Sequence, residues 1–140
     1  MSAVHPRLQQ VVLDAADARR SAEFWRALLG LSYRPGQEPP PAGEDDPAGR
    51  DWLNLLAPDG SPLLAVQQVE RLPRSTWPAA DVPQQLHLCL TAEDVEQLDA
   101  VHARALELGA VVLEDRRDDP EEALRVHADP DGHPFCVYVP

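Results

Sequence analysis

The sequence predicts a mixed α+β domain built from two copies of a βαβββ module, and an internal repeat carries that prediction. Gln10-Val11-Val12-Leu13-Asp14-Ala15-Ala16-Asp17 returns 77 residues later as His87-Leu88-Cys89-Leu90-Thr91-Ala92-Glu93-Asp94. Each copy is an apolar strand running into a helix N-terminus. Pro58-Asp59-Gly60-Ser61-Pro62 returns 72 residues later as Pro130-Asp131-Gly132-His133-Pro134. Asp-Gly between two apolar runs marks a hairpin turn, because glycine takes a positive φ without strain. A long Pro-rich loop in the first copy accounts for the change of offset. The 140 residues therefore form one domain, with module one over about 7–70 and module two over about 84–140.

The elements follow in order. A strand over 8–15 leads to a helix over 17–29, opened by Asp17 as N-cap. Phe24, Trp25, Leu28 and Leu29 form its apolar stripe, and Gly30 ends it. Arg19, Arg20 and Arg26 read as its wet face. Strands follow at 31–35, 51–57 and 62–69. Pro35 to Arg50 carries five prolines and three glycines. It can hold neither ladder nor helix and reads as an exposed loop. Glu70 to Pro83 is a second irregular stretch joining the modules. In module two a strand at 85–91 precedes a helix over 92–108. Thr91 with Asp94 reads as its capping box, and Gly109 as its stop. Strands at 110–115, 123–129 and 133–139 complete the second copy.

Composition excludes several classes. The chain is 44% apolar and 26% charged, enough for a packed core and unlike a disordered segment. Its apolar runs are too short to span a membrane, and Met1 to Leu8 lacks the apolar run of a secretory signal. Twenty-four acidic residues against twelve arginines, with no lysine, give a net charge of −12. Such a surface repels phosphate backbones, so nucleic acid is not an expected partner. Two cysteines, Cys89 and Cys136, are too few for a disulfide framework and fit a reduced cytoplasm. Both are expected to be small buried hydrophobes. There is no phosphate-binding glycine loop, nucleophile elbow or His-Glu-x-x-His motif.

Four segments in this order resemble the vicinal oxygen chelate superfamily, the glyoxalase and bleomycin-resistance fold. They are the first strand ending at Asp17, Glu23-Phe24-Trp25-Arg26-Ala27-Leu28-Leu29-Gly30-Leu31, Gln84-Gln85-Leu86-His87-Leu88, and Asp129-Pro130-Asp131-Gly132-His133-Pro134-Phe135-Cys136. The resemblance covers nearly the whole chain. It implies curved mixed sheets around a concave ligand cavity, and a homodimer. Members range from isomerases to proteins that only bind, so the resemblance leaves function open.

In metal-dependent relatives the ligands come from the first and last strands of each module. Carried over, those positions are Gln10, Leu64, His87 and Cys136. Leu64 has no donor atom, and Cys136 replaces the usual carboxylate. The expectation is therefore no metal and no other cofactor. Strand alternation directs Gln10, Val12, Asp14, Leu64, Val66, Gln68, His87, Cys89, Cys136 and Tyr138 inward, joined by Trp52, Asn54, Arg125 and His127. The expected ligand-binding set is Gln10, Trp52, Asn54, Gln68, His87, Arg125, His127, Cys136 and Tyr138. With Arg125 as its one fixed cation, the pocket should take a neutral or mono-anionic, partly aromatic small molecule. The alternative is a glyoxalase-like lyase or isomerase, metal-free or with an atypical metal, in which His87 is the catalytic base or a ligand.

Overall fold

The computed structural model describes residues 2–140. Module one runs β1 (Val11–Ala15), α1 (Ala18–Leu29), β2 (Ser32–Tyr33), β3 (Trp52–Leu56) and β4 (Pro62–Gln68), with one 3-10 turn at Ala48–Arg50. Module two runs β5 (Leu88–Thr91), α2 (Val95–Glu107), β6 (Val111–Arg116), β7 (Leu124–Ala128) and β8 (Pro134–Tyr138). The eight strands form two four-stranded sheets of the same order, β1-β4-β3-β2 and β5-β8-β7-β6. In both, the first and last strands pair in parallel and the rest antiparallel. The expected duplication is present, strand for strand.

The helix ends obey their local chemistry. Asp17 accepts a hydrogen bond from the Arg20 N–H, and Gly30 closes α1 in the left-handed region at φ 68°. On α2 the cap is Asp94 rather than Thr91. Asp94 accepts from Gln97 N–H, and the Gln97 amide oxygen reaches back to Glu93 N–H at 2.6 Å. The box is therefore Asp-x-x-Gln, three residues further along than Thr91, and the helix begins at Val95.

Each sheet turns one face toward a helix and leaves the other open. Leu13, Ala15, Leu53, Leu55, Leu64 and Val66 lie under α1, whereas Phe135 and Val137 face the α2 side. One buried cluster includes residues of both modules. At its centre Trp25 meets Phe135 edge-on, with ring centroids 5.0 Å apart, and Phe24 meets Phe135 at 5.9 Å.

The Asp129–Pro134 turn is more than a hairpin; it latches module two onto module one. Asp129 is buried, and its carboxylate accepts from the Trp25 indole at 3.0 Å and from the Asp131 and His133 N–H groups at 2.9 Å each. Asp131 caps Ala16 N–H at 3.0 Å, and the His133 ring donates to the Asp14 carbonyl at 2.6 Å. Gly132 sits at φ 91° with the Arg74 side chain 3.1 Å from where a Cβ would be. Any other residue there meets backbone strain and presses on the Arg74 side chain. The matching turn in module one only closes on itself, through Asp59 and Ser61.

The Pro-rich loop is anchored rather than free. Arg19 donates twice to Asp46, at 2.9 Å each, and once to the Gln37 carbonyl at 2.6 Å, with its guanidinium 4.9 Å from the Tyr33 ring centroid. Arg19 therefore belongs to a loop clamp and not to the wet face of α1.

Candidate functional site

Two places gather polar side chains on apolar surroundings: the open faces of the sheets, and a cavity at the seam between modules. Strand register decides which residues each receives. On β1, Val12 pairs with Ala65 and Asp14 with Gln67, and these in turn face Asn54 and Trp52 of β3. Trp52 and Asn54 therefore lie on the face of sheet one away from α1, where the Trp52 indole donates to the Asn54 side-chain Oδ1 at 3.0 Å. Asn54 is buried, with its backbone and side-chain amides both donating to Gln37 of the anchored loop. Gln10, just before β1, shares this parity. On sheet two, His87, Cys89, Cys136 and Tyr138 share the open face.

Five residues expected to point inward lie on the helix side instead. Leu64 and Val66 are core residues at 3% and 0% exposure. Gln68 caps the start of α1, accepting from Ala18 N–H and donating to the Ala16 carbonyl, at 2.7 Å each. The cause on β4 is a bulge. Leu56 pairs with Pro62 but Leu55 with Leu64, so Leu63 is an extra residue that reverses the alternation beyond it. The second module has no such step at this point, since Ala128, His127 and Val126 pair in turn with Pro134, Phe135 and Cys136. The residue matching Cys136 is therefore Ala65 and not Leu64.

Arg125 and His127 are likewise under α2. The Arg125 guanidinium donates to Asp99 at 3.0 Å and lies 3.2 Å from Asp115. His127 is fully buried, stacked on Phe135 at 5.2 Å, with its Nε2 2.9 Å from His102 Nδ1 and its own Nδ1 unpartnered. Burial, with the positive charge of its neighbours, pulls the His127 pKa down to about 4. Arg117 and Arg125 hold the Asp99 carboxyl at about 2.

The corrected ligand row is Gln10, Ala65, His87 and Cys136. It does not fit a divalent metal. Ala65 has no donor, Gln10 is a neutral amide, and Cys136 stands where a carboxylate would supply a hard, charged oxygen, so the row offers too few strong ligands. Among the described residues no three His, Cys, Asp or Glu side chains are grouped to hold an ion.

The seam cavity holds about 340 Å³, at the small end of the range for small-molecule sites. Its walls are β1, the start of β5, the Asp131–Pro134 turn and the 72–87 linker. Val12, Trp25, Leu72, Val82 and Leu86 supply apolar surface, and His87, Gln84 and Asp14 the polar points. The Gln84 amide oxygen is buried and has no partner. Of the expected ligand-binding residues only His87 lines this space. Val12 and Asp14, which strand alternation also directs inward, line it too, whereas Leu72, Gln84 and the Asp131–Pro134 turn were missed because the linker shows no periodicity and the latch looked like a turn alone.

Fold and site together define a duplicated βαβββ protein with a seam cavity and a broken metal row. The sequence profile of the glyoxalase-like domain matches residues 10–138, so the chain belongs to the glyoxalase-like domain family. Solved structures agree in fold. A possible glyoxalase from Bacillus cereus is 19% identical, with 94% of this chain and 96% of that one covered and a TM-score of 0.62. A glyoxalase/bleomycin resistance protein/dioxygenase family enzyme from Burkholderia phytofirmans is 13% identical, with coverage of 94% and 96% and a TM-score of 0.65. The fosfomycin resistance protein FosX from Listeria monocytogenes, complexed with Mn(II) and sulfate, is 15% identical, with coverage of 98% and 94% and a TM-score of 0.64. The chain has no significant match among curated protein sequences.

Proposed function

We propose that this chain is a metal-independent binding protein for a small, partly aromatic or hydrophobic molecule held in the seam cavity. The carrying observation is that cavity, with apolar walls and a buried, unpartnered Gln84 oxygen. A buried acceptor without a donor is unfavourable by about 1–3 kcal/mol, which a ligand N–H or O–H relieves. Arg125 is held in the α2 ion pairs and Arg74 donates to the Pro130 carbonyl; among the described residues no arginine lines the cavity, and Asp14 and Asp131 border it. This favours a neutral ligand with a donor group over an anion.

The lyase or isomerase reading draws on His87 and Asp14 lining one cavity. Among the described residues, however, nothing hydrogen-bonds the His87 ring, and a general base works best when a partner orients it. Binding is thus the preferred reading. A thermal-shift screen of compact neutral aromatics, run with and without EDTA, tests it. Ligand at about 100 times its Kd stabilises the fold by about 2.7 kcal/mol. Hits that persist in EDTA and vanish in Leu72→Trp are expected; hits that need metal would overturn the reading.

We also propose a cytoplasmic homodimer. Support comes from β6, an outer edge strand on which Val111, Val112 and Leu113 are 51%, 44% and 37% exposed. An unpaired apolar edge is a ready surface for a second copy. Light scattering should give twice the 15.4 kDa chain mass; a particle of one chain mass at micromolar concentration would refute it. Among the described residues no helix is long and apolar enough to cross a membrane.

A further inference from the structure

The two cysteines, expected to be inert filler, sit side by side on the open face of sheet two. Cys89 of β5 and Cys136 of β8 are register partners on a parallel strand pair. Neighbouring strands lie about 4.8 Å apart, inside the Cα separation of about 4.4–6.8 Å that a disulfide spans. Both side chains leave the sheet on the same face, and the Cys136 thiol donates to Cys89 Sγ at 3.1 Å. Cys89 is exposed and Cys136 half-buried, and neither lines the seam cavity.

We propose that Cys89 and Cys136 form a reversible intramolecular disulfide, a modification site open to small disulfides such as glutathione disulfide. Exposure sets the order of steps. The Cys89 thiolate attacks one sulfur of glutathione disulfide, whose S–S bond breaks. One glutathione leaves as a thiolate and takes a proton from water, and Cys89 holds a mixed disulfide. Cys136 then gives up its proton and attacks Cys89 Sγ, expelling the second glutathione. Two protein thiols are oxidised, and one glutathione disulfide is reduced to two glutathiones. Burial, which holds the Cys136 thiol high, makes it the poorer entry point and leaves it the resolving role, where proximity compensates. The new bond ties edge strand β5 to β8, two residues beyond His87 on the cavity wall.

Intact mass after exposure of the full chain to glutathione disulfide tests this. The wild type should lose the mass of two hydrogens, keep no glutathione and show no free thiol, and dithiothreitol should reverse all three changes. The oxidised form should melt several degrees higher, because a closed loop restricts the unfolded chain. Cys136→Ser should retain one glutathionyl group on Cys89. Cys89→Ser should react about tenfold more slowly, since only the half-buried thiol remains. A wild type that retains glutathione, or that forms disulfide-linked dimers, overturns the proposal. So does Cys89→Ser reacting as fast as Cys136→Ser. The wild-type mass decides even where a serine variant fails to fold.

Discussion

His127 should make this protein acid-sensitive in a window that one substitution removes. Its imidazole is fully buried between Phe135 and His102, and its pKa falls to about 4 from the ordinary 6.5. A depressed folded-state pKa means that the unfolded chain takes up the proton first. Stability is therefore full above about pH 6.5 and is lost as pH falls toward about 4. The shift is worth about 3 kcal/mol in total, of which about 2 kcal/mol is gone by about pH 5. Urea unfolding of wild type and His127→Leu at about pH 7.5 and about pH 5 measures it. Leucine keeps an apolar contact with Phe135 and removes the orphaned Nδ1. Neighbouring carboxylates contribute to both proteins, so the difference between them isolates the histidine. Asp99, held at about 2, titrates below the window. The wild type should lose about 2 kcal/mol more than the variant between the two pH values. Equal losses would refute the buried, neutral imidazole.

Other substitutions test other parts of the account. Asp129→Ala strands the Trp25 indole and two backbone N–H groups at once, and should destabilise by about 3 kcal/mol or more in urea. Leu64→Glu buries an unpaired carboxylate and should unfold the protein by circular dichroism. Ala65 lies on the other face but has no exposed surface, so Ala65→Glu should also destabilise; in its double variant with Cys136→Glu, added Mn(II) should recover stability in a thermal shift, since the variant supplies the two missing carboxylates. Arg19→Ala should free the Pro-rich loop, seen as faster proteolysis within residues 36–47, with a stability change of about 1 kcal/mol because the ion pair is part-exposed.

The duplicated architecture was legible because a repeat needs no propensity argument. Gln10–Asp17 and His87–Asp94 announce equivalent strands, and β1 and β5 are just that. Facing was less legible. The reading of β4 failed at Leu63, where one extra residue inverts the alternation for Leu64, Val66 and Gln68. Nothing in Pro62-Leu63-Leu64-Ala65-Val66 marks a bulge, since every residue there is apolar or proline. Arg125 and His127 failed on register too: Val126, not its neighbours, pairs with Cys136, so both turn under α2, where Asp99 and Asp115 pair the arginine and Phe135 covers the histidine. The cavity depends on where an aperiodic linker lies, and only the tertiary fold places Gln84 beside β1. Open-facing Trp52, Asn54, Cys136 and Tyr138 followed correctly from period two, because their strands carry no shift at those positions.

The most direct test of a metal-independent seam site is an amide NMR titration with a compact neutral phenol, in buffer containing EDTA. The account predicts saturable shifts centred on Val12, Leu72, Gln84 and His87, unchanged by added Mn(II) or Zn(II). Shifts centred on Trp52 and Asn54, or on Cys136 and Tyr138, would place the site on an open sheet face. Shifts that appear only with metal would contradict the account outright.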